Sequence, residues 1–163
     1  MTADTPNTRP LDSRADYATA LGELCTLAEH ALYVFDKNFD GLDFNSAARH
    51  DQLRQFLLAD PANRLYLLVQ DEDYLRHHCP RLLNLLQHFS GSMFLYRLPK
   101  HLQHIATPFA VADARHCVRR FHFDHPQGIF EAYDTENGNR YQNYFMDLWN
   151  ASKTVANVTG LRL

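Results

Sequence analysis

The apolar positions of this chain switch between a helical and an extended period, and each switch marks an element. Ser13-Arg14-Ala15-Asp16 has capping-box spacing, and Tyr17, Leu21, Leu24, Ala28 and Ala31 recur after it at helical intervals. The spacing predicts a first helix that starts at Ser13 and ends near His30. The run from Ala31 to Asp36 is short, apolar and rich in β-formers, which predicts a strand covered on both faces. Beyond a loop through Asp40-Gly41, the stretch from Asp43 to Leu58 sets Phe44, Ala48, Phe56 and Leu57 on an amphipathic helix, closed by Asp60-Pro61. Leu65 to Gln70 repeats the buried-strand pattern, and strand, helix and strand in that order predict a right-handed parallel crossover.

Leu75, Cys79, Leu82, Leu83 and Leu86 return to helical spacing, with Pro80 dividing them into a short turn and a longer helix from Arg81 that stops by Gly91. Extended segments are predicted at Met93–Leu98, Phe109–Asp113 and Cys117–Asp124. Tyr141, Tyr144, Phe145, Leu148 and Trp149 then fill an i, i+3, i+4, i+7, i+8 template, so a helix closes the pattern. Met1 to Asp12 carries two prolines and no apolar period, which predicts a flexible segment ahead of one domain over residues 13–163.

Composition agrees with a single core: the chain has 163 residues, 45% of them hydrophobic. No apolar run approaches the roughly 20 residues that span a bilayer, and the polar N-terminus carries no signal segment. The expectation is therefore a cytoplasmic protein without a membrane partner. A net charge of -3 supplies no global positive field, so nucleic acid is not the expected partner. Cys25, Cys79 and Cys117 are odd in number and widely spaced, as suits buried reduced thiols better than a disulfide frame or a zinc site. The sequence lacks G-x-S-x-G, a glycine-rich phosphate loop, H-E-x-x-H and a dinucleotide fingerprint, and no cofactor is expected.

Two stretches carry a likeness. Phe109-Ala110-Val111-Ala112-Asp113 resembles the strand on which the phospholipase D family carries H-x-K-x4-D, with Asp113 on the motif's Asp. Tyr144-Phe145-Met146-Asp147-Leu148-Trp149 resembles the F-x-x-L-W helix that often closes a unit of that family. The element order matches one such unit over about Leu27 to Ser152. The resemblance implies an α/β fold, with a mixed sheet and helices on both faces. It also implies pairing of two units across a cleft, which a single-unit chain does as a homodimer. In active members the His attacks phosphorus and the Lys holds phosphate oxygens. Here those positions are Ala106 and Pro108, which can do neither. The later G-S-x-N element would begin at Arg120, Phe121 and, two further on, Phe123, and is absent too. The implied protein is a degenerate, non-catalytic unit, a binding or regulatory module with a protein partner or a small anionic ligand.

Arg119-Arg120-Phe121-His122-Phe123-Asp124-His125 holds the densest chemistry. On a strand, period two sets Arg120, His122 and Asp124 on one face. That trio reads as a solvated face, as an anion site through Arg120, or as a metal site through His122 and Asp124. His104, Asp113, Arg120, His122 and Asp124 together form the candidate ligand pocket, with no metal assigned. The alternative function is a phosphodiesterase or metal-dependent hydrolase around His122. Asp36, Asp40 and Asp43 lack the other calcium-loop ligands and read as a turn.

Overall fold

A computed structural model describes residues 5–154; the outermost parts of the expected lead-in and domain, residues 1–4 and 155–163, lie outside it. In chain order the elements are β1 (Asn7–Leu11), α1 (Arg14–Leu27), β2 (Ala31–Asp36), α2 (Ala47–Ala59), β3 (Arg64–Val69), α3 (Asp73–His78) and α4 (Pro80–His88). They continue with β4 (Met93–Arg97), β5 (Phe109–Ala112), β6 (His116–Arg120), β7 (Gly128–Ala132), α5 (Thr135–Ala151) and β8 (Lys153–Thr154). All strands join one mixed sheet in the order β1-β7-β6-β5-β2-β3-β4-β8. β2, β3 and β4 run parallel, and the remaining pairs are antiparallel.

Alternation along the central strands divides the core in two, because successive side chains leave opposite faces of a sheet. Leu32 and Val34 of β2 pack with Leu21 and Leu24 of α1, Leu53 of α2 and Leu82 of α4. Tyr33 and Phe35 face the other way, onto Phe145, Leu148 and Trp149 of α5. The fold is thus α/β with helices on both faces, as the pattern predicts. β2 falls where expected, β3 starts one residue early at Arg64, and Pro80 opens α4 at its first turn.

Several boundaries differ for identifiable reasons. α1 stops at Leu27, where Ala28 turns extended and donates its amide to Leu24. α2 begins at Ala47 instead of Asp43: Ser46 caps it, and Phe44 precedes it, stacked on Phe39 with ring centroids 4.9 Å apart. The predicted inward Ala48 is exposed, and Arg49 is buried in its stead. Nη2 of Arg49 donates to the carbonyls of Ala18 and Leu42, so main-chain dipoles of two neighbouring segments compensate the buried charge. The segment expected to be a flexible lead-in holds β1, which pairs with β7 from Asn7↔Ala132 to Leu11↔Gly128. Regular structure therefore starts ahead of Ser13.

The β5–β6 connection is a two-residue hairpin turn. Asp113 and Ala114 both lie at positive φ, 57° and 54°, and the amide of Arg115 donates to the carbonyl of Ala112. This is the primed turn whose twist suits antiparallel strands. α5 packs directly on it: a Cβ placed on Gly138 would stand 2.3 Å from the carbonyl oxygen of Ala114. Gly138→Ala should therefore destabilise by about 2 kcal/mol, because backbone on both sides must shift, despite the better helix propensity of alanine. A thermal melt should fall by roughly 4–8 °C. An unchanged or raised melting point would show that α5 does not sit this close.

Candidate functional site

In sheets of this kind, sites form at the carboxyl ends of parallel strands. That edge is marked here by Asp36 on β2, Gln70 just after β3 and Arg97 on β4. A strap from Leu98 to Pro108 crosses it on the α5 side, with Leu102, Ile105 and Ala106 packed on the core beneath α5. The strap is tied at each point where it meets the sheet. Leu98 donates its amide to Val69 (2.9 Å), Gln70 Nε2 donates to the carbonyl of Gln103 (2.7 Å), and Gln103 Nε2 donates to that of Leu98 (2.9 Å). Farther on, the carbonyls of Ala106 and Pro108 accept from the amides of Phe123 (2.8 Å) and Arg120 (3.0 Å).

Beneath the edge lies a buried charge pair. Asp36 is 2% exposed and Arg120 3%, with Nη2 of Arg120 3.9 Å from Oδ1 of Asp36. The other carboxylate oxygen accepts from the amides of Asn38 (3.2 Å) and Phe39 (2.8 Å) and so holds the turn after β2. The guanidinium of Arg120 sits over the ring of buried Tyr17, 5.3 Å from its centroid. Burial raises the Asp36 carboxyl above its ordinary value, against the pull of the Phe39 amide, Arg120, the Asn38 amide and Arg14. Tyr17 lies well above the ordinary phenol range, again chiefly through burial, with Asp36 adding to it. A neutral phenol, a cation and an acid thus meet, shut away from solvent, where α1, β2 and β6 join, and Asp36 Oδ1 and Arg120 Nε have no hydrogen-bond partner there.

The residues singled out from sequence are not gathered into one pocket. Asp113 accepts from three backbone amides, those of Glu29 (2.8 Å), His30 (2.8 Å) and Ala31 (2.9 Å), and so braces the entry to β2. Asp36 and Arg120 lie at the far end of that strand, about 16 Å away at the rise of an extended chain. Arg120, His122 and Asp124 do not share a strand face either, because β6 ends at Arg120 and the following residues turn. Arg120 points inward while His122 and Asp124 stay at the surface. Their side chains approach to 3.7 Å, Nδ1 of His122 also accepts the Asp124 amide at 3.0 Å, and the ring of His125 lies 5.4 Å from that of His122. His104 is exposed on the strap. Asp36, read from sequence as part of a turn, is the partner of Arg120; its place at the end of a buried strand was the available signal.

Among the described residues no group of three or more His, Cys, Asp or Glu side chains is arranged to hold a metal ion. The three cysteines are buried and unpaired, and burial pushes the Cys117 thiol up to about 12 and the Cys79 thiol up to about 11, so neither is a nucleophile at neutral pH. No helix among the described residues is long and apolar enough to cross a membrane.

Solved structures share this architecture. Nuc of Salmonella typhimurium, a phospholipase D family member, superposes with a TM-score of 0.64 at 8% identity, over 91% of this chain and 97% of its own. NucT from Helicobacter pylori gives 0.57 at 11% identity, over 91% and 99%. TrmBL2, an archaeal chromatin protein with a novel mode of DNA binding, gives 0.68 at 12% identity over 94% of this chain. The present chain spans 56% of TrmBL2. At such identities the likeness is one of fold, and that fold is phospholipase D-like. No curated protein matches the sequence. The family model described as domain of unknown function (DUF7931) matches residues 13–161, and this chain belongs to that family.

Proposed function

We propose that this chain is a non-catalytic phospholipase D-like domain, acting as a binding or regulatory module and pairing with a second copy at the strapped sheet edge. The observation that carries the reading is the strap itself. Ala106 and Pro108 stand where the resemblance asks for a nucleophile and a phosphate-binding amine, and their carbonyls accept from Phe123 of the β6–β7 loop and from Arg120 at the end of β6. Of the polar groups, Arg120 beside the strap is turned inward toward Asp36, and Asp113, at the opposite end of β2, is bonded to three amides. Phe121, 55% exposed beside this edge, is the natural anchor for a partner copy, since aromatic residues are enriched in interfaces.

A second reading rests on the bond from the Asp124 amide to Nδ1 of His122 (3.0 Å), which orients the imidazole for proton transfer through its other nitrogen. The two readings separate in an assay of bis(p-nitrophenyl) phosphate with and without magnesium, manganese or zinc. Turnover is expected to stay at background; turnover abolished by His122→Ala would establish the hydrolase and remove the module. Sedimentation at micromolar concentrations should return a dimer that Phe121→Ser dissociates, and a monomer throughout would end the pairing reading. DNA stays among the ligands to test, because TrmBL2 binds it. The inward side chain of Arg120, and the contact of Arg119 with Glu131 and the ring of Tyr141, make neither arginine a free phosphate contact.

A further inference from the structure

Between Asp73 and Asp113 the sequence holds no carboxylate, while Arg76, Arg81, Arg97, Lys100 and five histidines fall within that stretch of a chain whose net charge is -3. Part of this acid-free stretch is α4, which packs beside α2 and leaves a groove of about 260 Å³ between the two helices. Leu85 and Phe89 contribute its apolar lining, His50 and Arg54 of α2 flank one side, and Asn84 and His88 of α4 the other. None of these is acidic. Arg54 is exposed and makes no ion pair among the described residues. Arg81, at the head of α4, is exposed and fixed by its Nη1 bond to the carbonyl of Asn45 (2.9 Å).

Positions 50, 54 and 58 follow one side of α2, and Leu58 is 51% exposed, which only Phe121 matches among the large hydrophobics of the described residues. The surface therefore couples unpaired positive charge with an uncovered leucine at the end of one helical stripe. A free anion answers the charge and leaves Leu58 and Phe89 bare. A phosphate backbone does likewise. The complement to both features is a peptide with carboxylates spaced around an apolar side chain, in the manner of a helix laid in a groove.

We propose that the α2–α4 groove docks an acidic peptide segment of a partner protein, with its apolar side chain against Leu58 and Phe89 and its carboxylates toward Arg54, Arg81, His50 and His88. The probe is a fluorescent synthetic helix of Glu, Leu and Ala, measured against its Glu→Lys counterpart and a labelled single-stranded oligonucleotide, all with the full chain. The acidic peptide alone should bind, with amide shifts confined to α2 and α4. Arg54→Glu should weaken binding about tenfold or more by setting like charges opposite each other, and Leu58→Ser should weaken it severalfold; both sites are exposed, and a thermal melt verifies folding. No binding by the acidic peptide, or equal binding by the Lys peptide, overturns the proposal. So does an oligonucleotide that binds more tightly and with the same dependence on Arg54. Phe121→Ser, which tests pairing at the strapped edge, should leave peptide binding unchanged, so the two proposals fail separately.

Discussion

Asp113→Ala should lower the stability of the domain by about 3 kcal/mol, the order expected when backbone donors lose a charged acceptor, and its thermal midpoint by roughly 6–12 °C. Two costs combine. The amides of Glu29, His30 and Ala31 lose the carboxylate that accepts from all of them, at the junction where α1 hands the chain to β2. In addition, position 113 lies at φ 57°, a conformation aspartate tolerates better than alanine. Asp113→Gly isolates the first cost, since glycine adopts that backbone freely, and Asp113→Asn should recover part of both. If the three variants melt with the wild type, the carboxylate does not brace β2. The residue that by resemblance belongs to a catalytic motif thus makes three main-chain bonds in this chain, which need neither a histidine nor a lysine beside it.

Arg120→Ala should cost about 3 kcal/mol at neutral pH, because truncating one member of a buried pair leaves the other charge uncompensated. The cost depends on pH in a direction fixed by Asp36. Burial already holds its carboxyl above the ordinary 3.8, so the stability it contributes is complete below that value and is lost as pH rises through the native one. Removing the arginine raises the native value further and enlarges the loss at neutral pH. Urea titrations from about pH 4 to pH 7.5 should therefore show the variant approaching wild type at the acid end and diverging upward, and a deficit constant with pH would sink the account. The double substitution Asp36→Asn with Arg120→Met, which removes both charges at similar volume, should recover much of the deficit.

What could be read in advance were segments whose partners do not matter. β2 and β3 are apolar on both faces whichever strands flank them, Pro80 opens a helix by its own ring geometry, and the aromatic stripe of α5 stands out at any docking angle. β1 and β7 escaped because their identity lies in each other. Gly128 to Ala132 carries Glu131, which reads as surface until Arg119 and Asn137 are seen to bond it, and Asn7 to Leu11 contains Pro10. The burial of Arg49 has no sign in the local sequence, because the carbonyls that neutralise it come from Ala18 and Leu42. The candidate site shows the same limit. His122 and Asp124 are two apart and do meet, though in a turn; Arg120 and Asp36, 84 positions apart in sequence, are joined only by the order in which β6, β5 and β2 lie side by side.

The pairing of β1 with β7 bears on how the protein is born. Asn7 leaves the ribosome 125 positions ahead of its partner Ala132. Until β7 is made, β1 has nothing to zip onto, and β7, once it emerges, presents a bare edge until β1 finds it. Exposed strand edges invite cross-pairing between nascent chains. A gene trimmed to start at Ser13, where the family match begins, would make that transient edge permanent.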